Sequence, residues 1–567
     1  MDQGNPAFVE KVRETEAVPP AHLDALVARH GGGTLNLLRA LMDDGLLGKA
    51  HACQLWGDSI GKTYVDPLEV VISREAVEVI PHEIAKKKTV LGLYYFGDVL
   101  TVITPDPNDT VFMKQLERIT QSPISPIFGL PWEIETAIAI QYQTRENLDD
   151  LLKKITSSGF RIDGVQSDDD VAMLAEAVPM VELVDALVYY SLRERASDIH
   201  IQPEEASVPI RIRVDGILRE AIRLPKSIGP ALAARIKVMC ELDVSERRLP
   251  QDGRFSLELG GNKANFRVSI VPSIHGEKVV VRVLNISGVR QVMELNKMLF
   301  SQTVLQPFRR LIRRPNGIIF ITGPTGSGKS TTLYGALDEI NVPGQNIMTV
   351  EDPVEYQLKG LTQVQVKPDI GLTFSRVLRA AMRQDPDVIL VGEIRDLETA
   401  KIASEAALTG HLVFATLHTN NAVQATLRLI EIGVEPFIVA PSILGVVSQR
   451  LAGRVCENCS EPYYPSRDEM RTYFLDEGLG KVPFFRGKGC SECGETGFRG
   501  RVALHELVVI TDEIRSMISE SASMLDLARA ARRGGYRPMR YDGLKKVLLG
   551  LTTIEEVERI TVEETPL

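Results

Sequence analysis

The stretch from residue 317 to 340, GIIFITGPTGSGKSTTLYGALDEI, constrains this chain more than any other. An apolar run, Gly317 to Thr322, leads directly into Gly323, Pro324, Thr325, Gly326, Ser327, Gly328, Lys329, Ser330 and Thr331, and a helix-forming run follows. The pattern is G-x-x-x-x-G-K-[ST], in the setting of strand, loop and helix that gives it meaning. The glycines let backbone N–H groups turn inward around a phosphate, and the helix N-terminus adds the positive end of its dipole. A lysine at 329 reaches the β- and γ-phosphates, and the Ser330 hydroxyl ligates magnesium. A merely structural glycine turn needs neither. ATP and Mg2+ are therefore the expected ligands of these nine residues.

After about residue 295, strands and helices alternate through GIIFIT, STTLYGALDEI, IMTVED, SRVLRAAMR, VILVG, LETAKIASEAAL and LVFATL. This is the pattern of a parallel sheet covered by helices, an α/β nucleotide-binding core. In DPDVILVGEIRD, Asp385 to Asp396, an apolar strand delivers Glu393 to the sheet edge, where it is the candidate for polarising the attacking water. The aspartate that usually ends such a strand is replaced by Gly392, so magnesium depends more on Ser330 and water. The plainer role open to Glu393 is a surface ion pair with Arg395. TVEDPVEY groups Glu351, Asp352 and Glu355 at a further strand end, near where open α/β sheets take ligands, although Asp352-Pro353 also reads as an ordinary turn.

A chain of 567 residues is expected to hold three or four domains. Residues 1–145 mix helical periodicity, as in LNLLRALMDDGLLGKAHACQLW, with the short strands TVLGLYY and VLTVITP, and read as an α+β domain. Residues 146–177 are charged and contain Ser and Gly, which suits a short helix and an exposed linker. A second α+β domain runs over 178–290 with the strands PIRIRVDG, FSLELGG, ANFRVSIVPS and KVVVRVLN, and a hinge is expected near Ser287 to Glu294. The α/β core takes 295–567.

The net charge of −10 is opposite to that of a protein that grips nucleic-acid phosphates, so nucleic acid is not expected as the partner. The opening MDQGNPAFVEKVRETEAVPP lacks the basic start and apolar region of a secretory signal, and the near-apolar Phe437 to Val447 is too short to span a bilayer. A cytoplasmic protein that meets membranes through partners is expected. Four of the six cysteines form the pairs Cys456/Cys459 and Cys490/Cys493, thirty residues apart, while Cys53 and Cys240 stand alone. CENC and CSEC fit a tetrahedral Zn2+ site built on two knuckles, within a module of about 452–505; unpaired thiols are the alternative.

Together these segments resemble the secretion ATPase superfamily, specifically the assembly ATPases of type II secretion and type IV pili. To GPTGSGKST and the Glu393 segment the chain adds the acidic box TVEDPVEY and the histidine box TGHLVFATLHTN, Thr409 to Asn420. The second domain carries SDIHIQP, RIRVDG, and RRLPQDGR to VVVRVL, so the resemblance covers about residues 178–560. It implies a RecA-like P-loop ATPase core, a preceding α+β domain, an N-terminal α+β docking domain and a tetracysteine zinc module of the kind found in assembly motors. It implies that Arg267, Arg282, Arg379 and Arg383 approach the terminal phosphate and that His411 and His418 sense nucleotide. Arg379 and Arg383, at i and i+4 of a predicted helix, share a face; ordinary ion pairs are the alternative for all four arginines, and hydrogen-bonded strand-end residues for both histidines.

Further implications are a homohexamer and a polytopic inner-membrane platform protein as partner. Some N-terminal domains of this kind bind cyclic di-GMP. The arginine-led opening for that ligand is missing here, since Asn36 and Leu37 precede Leu38, and the segment reads first as an amphipathic core helix pair, with dinucleotide binding as the lesser alternative. The expected function is force generation for pilus or pseudopilus assembly, with a nucleic-acid translocase on the same core as the rival.

Overall fold

The computed structural model describes residues 5–561 apart from 16, 32–33, 69, 71, 144, 158–172, 260–261, 287–293, 356, 420 and 467–481. The chain divides into two compact units, Met1–Arg290 and Gln291–Leu567. The expected hinge lies, apart from Glu294, outside the described residues, as do much of the expected linker and part of the segment between the cysteine pairs.

The first unit starts with the helices Pro6–Glu14, Pro20–His30, Leu35–Asp43 and Lys49–Ile60. Their apolar stripes meet around Phe8, Leu23, Leu37, Leu38, Leu41 and Trp56. The run LNLLRALMDDGLLGKAHACQLW is thus a core helix pair, with Thr34 capping its first helix by accepting from Leu37 N. A second cluster gathers under a three-stranded sheet made of Leu91–Phe96, Val99–Thr104 and Ile124–Phe128.

The short helix expected at the start of the linker is present as Arg145–Ser157, and it packs rather than standing free. It buries Leu148 and Ile155 in the core of the next domain, alongside Val178–Arg193 and Gly229–Met239. That core lies against one face of a six-stranded antiparallel sheet ordered Ile217–Pro225, Ser207–Val214, Asp198–Ile201, Gly276–Ile286, Asn262–Ser273, Gln251–Leu259. The alternation in RIRV and VRVL places arginines on the face away from the core.

In the second unit a seven-stranded sheet runs Thr362–Gln365, Ile347–Glu351, Val388–Val391, Leu412–Leu417, Gly317–Thr322, Ile443–Val455, Phe498–Val509. The first six are parallel and the last is antiparallel to its neighbour. Gly317–Thr322 and Leu412–Leu417 are buried along their whole length, as continuous apolar strands covered on both faces must be. This arrangement brings the ends of four strands, at Thr322, Leu417, Val391 and Glu351, to one edge of the sheet. Among the described residues, no helix is long and apolar enough to cross a membrane.

Candidate active site and cysteine centre

The loop 323–328 leaves the central strand and turns into the helix Lys329–Ile340 through three glycines of positive φ: Gly323 at 144°, Gly326 at 79° and Gly328 at 87°. A Cβ at Gly323 would lie 2.3 Å from the Gln449 carbonyl oxygen, so that position excludes any side chain. Pro324, Thr325 and Gly326 form the exposed tip, Ser327 is buried beneath it, and Ser330 is exposed with Thr331 half-buried in the first helical turn. Lys329 Nζ donates to Gly323 O at 2.9 Å and Pro324 O at 3.0 Å, holding the ammonium across its own loop. Burial lowers its pKa while the Glu393 carboxylate opposes the shift. A backbone concavity closed by a cation, with a serine hydroxyl at the helix start, fits a nucleotide phosphate chain and its magnesium.

Glu393 follows the strand Val388–Val391, two strands from the loop, and its side chain is 12% exposed. One carboxylate oxygen meets Arg395 at 2.5 Å and the other faces His418 Nε2 at 3.6 Å. The ion pair with Arg395 is therefore real, but it engages one oxygen. A Cβ at Gly392 would come 3.1 Å from Val350 O and 3.3 Å from Glu351 Cα. The neighbouring strand thus passes close to this position, and a side chain there would need it to give by a few tenths of an ångström.

Glu351 ends the strand beside it and is 5% exposed. Its carboxylate accepts from Tyr334 OH, from Thr349 Oγ1 at 2.5 Å and from Gln363 Nε2 at 3.2 Å. Three donors stabilise its buried charge, as burial demands, and tie the strand end to the helix after the phosphate loop. Asp352 and Glu355, grouped with it by the sequence, are exposed.

The two histidines separate. His418 stands beside Glu393 at the loop edge, whereas His411 precedes the same strand, donates from Nδ1 to Ala406 O at 2.9 Å and accepts from Gly317 N at 3.1 Å through its carbonyl. At about 3.3 Å per residue the strand sets them roughly 20 Å apart, so His418 stands at the Glu393 edge and His411 at the opposite end of the strand. Arg379 and Arg383 do not share a helix face. The helix Phe374–Ala381 ends first, Arg383 Nη1 donates to the Arg379 carbonyl at 2.8 Å, and the Arg379 guanidinium pairs with Glu398 at 2.6 Å.

In the first unit, Arg267 and Arg282 face each other across the strands Asn262–Ser273 and Gly276–Ile286. The same row continues to Arg254 on one side and to Asp198 and Arg213 on the other. Directly opposed residues share a sheet face, so four arginines and one aspartate form a row across five strands, with Arg282 and Arg213 flanking Asp198. Asp198 Oδ1 accepts from Arg282 Nε at 2.9 Å and holds that guanidinium in place. Asp198, Arg213, Arg254 and Thr349 lie inside motif segments but received no role from the sequence, because only strand register and packing align them; Tyr334 and Gln363 lie outside the acidic box and carry no motif signal.

Cys456, Cys459, Cys490 and Cys493 bring their sulfurs within 4.8 Å of one another. The separations Cys456 to Cys490 and Cys459 to Cys493 are both 3.9 Å, and Cys490 to Cys493 is 3.7 Å. Tetrahedral zinc at about 2.3 Å from each sulfur would space them at about 3.8 Å, so the cluster has the dimensions of a Zn-thiolate site. Burial pushes the Cys456 and Cys459 thiols up, Cys459 to about 12, whereas Cys493, against its own burial, is brought down to about 7 by the N–H groups of Cys490 and Gly497. The cluster sits at the far ends of Ile443–Val455 and Phe498–Val509, anchored on Phe484, Val502, Leu504, Val547 and Val557. Cys53 and Cys240 are buried apart from it.

Comparison with known proteins places these features in a family. A model described as "Type II/IV secretion system protein" matches residues 173–559, and an MshEN domain model matches 60–148. The chain is 42% identical over 495 residues to the type II secretion system protein E of Dickeya dadantii, covering 86% of this chain and 97% of that protein. It is 39% identical over 547 residues to the type IV pilus assembly ATPase PilB of Thermus thermophilus, covering 94% of this chain and spanning 60% of that relative's length. The solved ATPase DotB of Legionella pneumophila superposes with a TM-score of 0.50 at 23% identity, over 67% of this chain and 95% of that one, a likeness of fold.

Proposed function

This chain belongs to the type II/IV secretion system protein family, and from that premise we propose that it hydrolyses ATP as a homohexameric motor to drive assembly of a pilus or pseudopilus through an inner-membrane platform. The observation that carries the reading is the convergence of the phosphate loop, His418, Glu393 and Glu351 on one edge of the parallel sheet. Loop N–H groups and Lys329 bind the β- and γ-phosphates, and Ser330 holds Mg2+, which supplies charge neutralisation across them. The Glu393 oxygen not paired with Arg395 orients the attacking water and draws its proton. His418, facing that oxygen, reports the state of the site to the next segment. Arg267, Arg282, Arg379 and Arg383 offset charge on the transferring phosphoryl group. The four cysteines hold a structural Zn2+, and the N-terminal domain docks on the membrane machine from the cytoplasmic side, with cyclic di-GMP as the ligand to titrate against it.

Phosphate release measured alone, with DNA, and with the platform's cytoplasmic fragment tests the reading. Stimulation by the platform fragment and indifference to DNA is the expected result. Stimulation by DNA alone would make the chain a nucleic-acid translocase, and binding without turnover in every arm would make it a nucleotide-regulated scaffold.

A further inference from the structure

One side chain outside every motif braces the phosphate loop from behind. Gln449 lies in the strand Ile443–Val455, directly after Ser448, which stands in register with Thr322 at the end of the loop-bearing strand. It is 3% exposed, and both ends of its amide are engaged. Nε2 donates to the Ser327 carbonyl at 2.8 Å, and Oε1 accepts from Thr332 Oγ1 at 2.6 Å. These anchors bracket Gly328 and Lys329, one in the loop and one in the helix that follows it.

We propose that Gln449 is a positioning residue for nucleotide binding, which aims the Gly328 N–H into the phosphate cradle by holding the Ser327 carbonyl. The inference rests on the active-site reading above. The peptide between Ser327 and Gly328 is trans, and in a trans peptide the C=O and N–H of one plane point in opposite directions. With the carbonyl drawn back to the buried strand, the amide hydrogen faces the other way, toward the concave side of the loop. Without that tether, rotation about the Ser327 Cα–C and Gly328 N–Cα bonds lets the plane turn and withdraw a phosphate donor.

Two further contacts agree with this role. A Cβ at Gly328 would lie 2.7 Å from Gln449 Nε2, so the amide packs directly against this glycine, whose φ of 87° favours glycine in its own right. At the start of the loop, the Gln449 carbonyl oxygen occupies the space that a Cβ at Gly323 would need. One residue of one strand thus supports both ends of the loop. A donor aimed at the phosphates acts on bound substrate and transition state alike, so its loss belongs in affinity rather than in kcat.

The full-length chain carrying Gln449→Met, which keeps the volume and removes both hydrogen bonds, is compared with wild type by titration with fluorescent ATP and ADP, by steady-state phosphate release and by thermal unfolding without nucleotide. Kd for both nucleotides and KM for ATP should rise about tenfold, with kcat within about twofold of wild type and unfolding little changed. Thr332→Val, which removes one anchor, should move affinity the same way by about threefold, and it carries the test if the first variant fails to fold. Unchanged affinity in a folded variant, or a fall in kcat at constant Kd, would overturn the proposal. A wild-type chain that binds neither nucleotide would instead remove the active-site reading itself, and this inference with it.

Discussion

On the proposed function Lys329 and Glu393 divide the work of the site between charge neutralisation and water activation, and the two functions should separate on substitution. Lys329→Ala should abolish turnover and weaken ATP binding, because the loop loses its one cation. Glu393→Gln keeps the shape beside Arg395 and His418 but cannot take a proton, so ATP should stay bound and unhydrolysed. Normal phosphate release by the Glu393→Gln protein would free Glu393 of this role. Arg282, oriented by Asp198, should behave like the glutamate rather than the lysine: Arg282→Ala should cost about 10³-fold in kcat while leaving much of the binding. Equal losses in binding and turnover would reduce it to a partner for Asp198.

Between elements, two buried polar assemblies join segments that hydrophobic contact alone would leave free to slide. In the N-terminal domain Lys49 Nζ, on the helix Lys49–Ile60, is 2.5 Å from both Asp66 and Glu133, and Tyr64 OH donates to Glu133 at 2.9 Å. Two carboxylates share one ammonium, whose pKa rises through Glu133 and Asp66 although burial opposes it. Burial and the Asp66 charge push the Glu133 carboxyl up to about 7, against the pull of Lys49. Glu133 then binds its proton more tightly in the folded than in the unfolded chain, where its pKa is about 4.3. Its contribution is complete below that value and is lost as pH rises through about 7. Both tryptophans of the chain, Trp56 and Trp132, belong to this domain, so tryptophan fluorescence reads its melting selectively. The midpoint should fall between about pH 5 and pH 7.5, and Glu133→Gln should flatten the profile; an equally steep profile in the variant would place the titrating group elsewhere.

The second assembly is the cysteine cluster at the tip of two sheet strands. Four thiolates would complete a tetrahedral shell and leave no open position, so on the proposed reading a metal held there is structural, and about one zinc per chain is expected on purification without chelators. Cys456→Ser with Cys459→Ser should lower thermal stability, since ordering of the two knuckles depends on the metal. Absence of zinc on elemental analysis, or an unchanged melting temperature, would defeat this.

For the whole molecule, a ring motor predicts a mass of six chains and activity that depends on neighbours. Adding increasing fractions of the Glu393→Gln chain to wild type before assembly should depress phosphate release more steeply than the fraction added, because one silent subunit stalls those coupled to it. A strictly proportional decline would describe six independent sites, and a monomer by sedimentation would end the ring proposal.

The contiguous chemistry was legible in the sequence: GPTGSGKST between strand and helix, Glu393 at a strand end, CENC and CSEC, and the alternation that announced the parallel sheet. Each depends on residues within one turn or one strand, where spacing along the chain is already spacing in space. The α+β pattern of the N-terminal and middle domains was legible for the same reason. Only the tertiary structure could decide what register and long-range packing create. It parted His411 from His418, ended a helix before Arg383, and aligned Arg254, Arg267, Arg282, Asp198 and Arg213 in one row from separate strands. It also brought Gln449 to the carbonyl of Ser327, 122 residues earlier. No local propensity encodes such pairings, because they are set by which strands become neighbours when the apolar faces are buried and by how those strands slide into register.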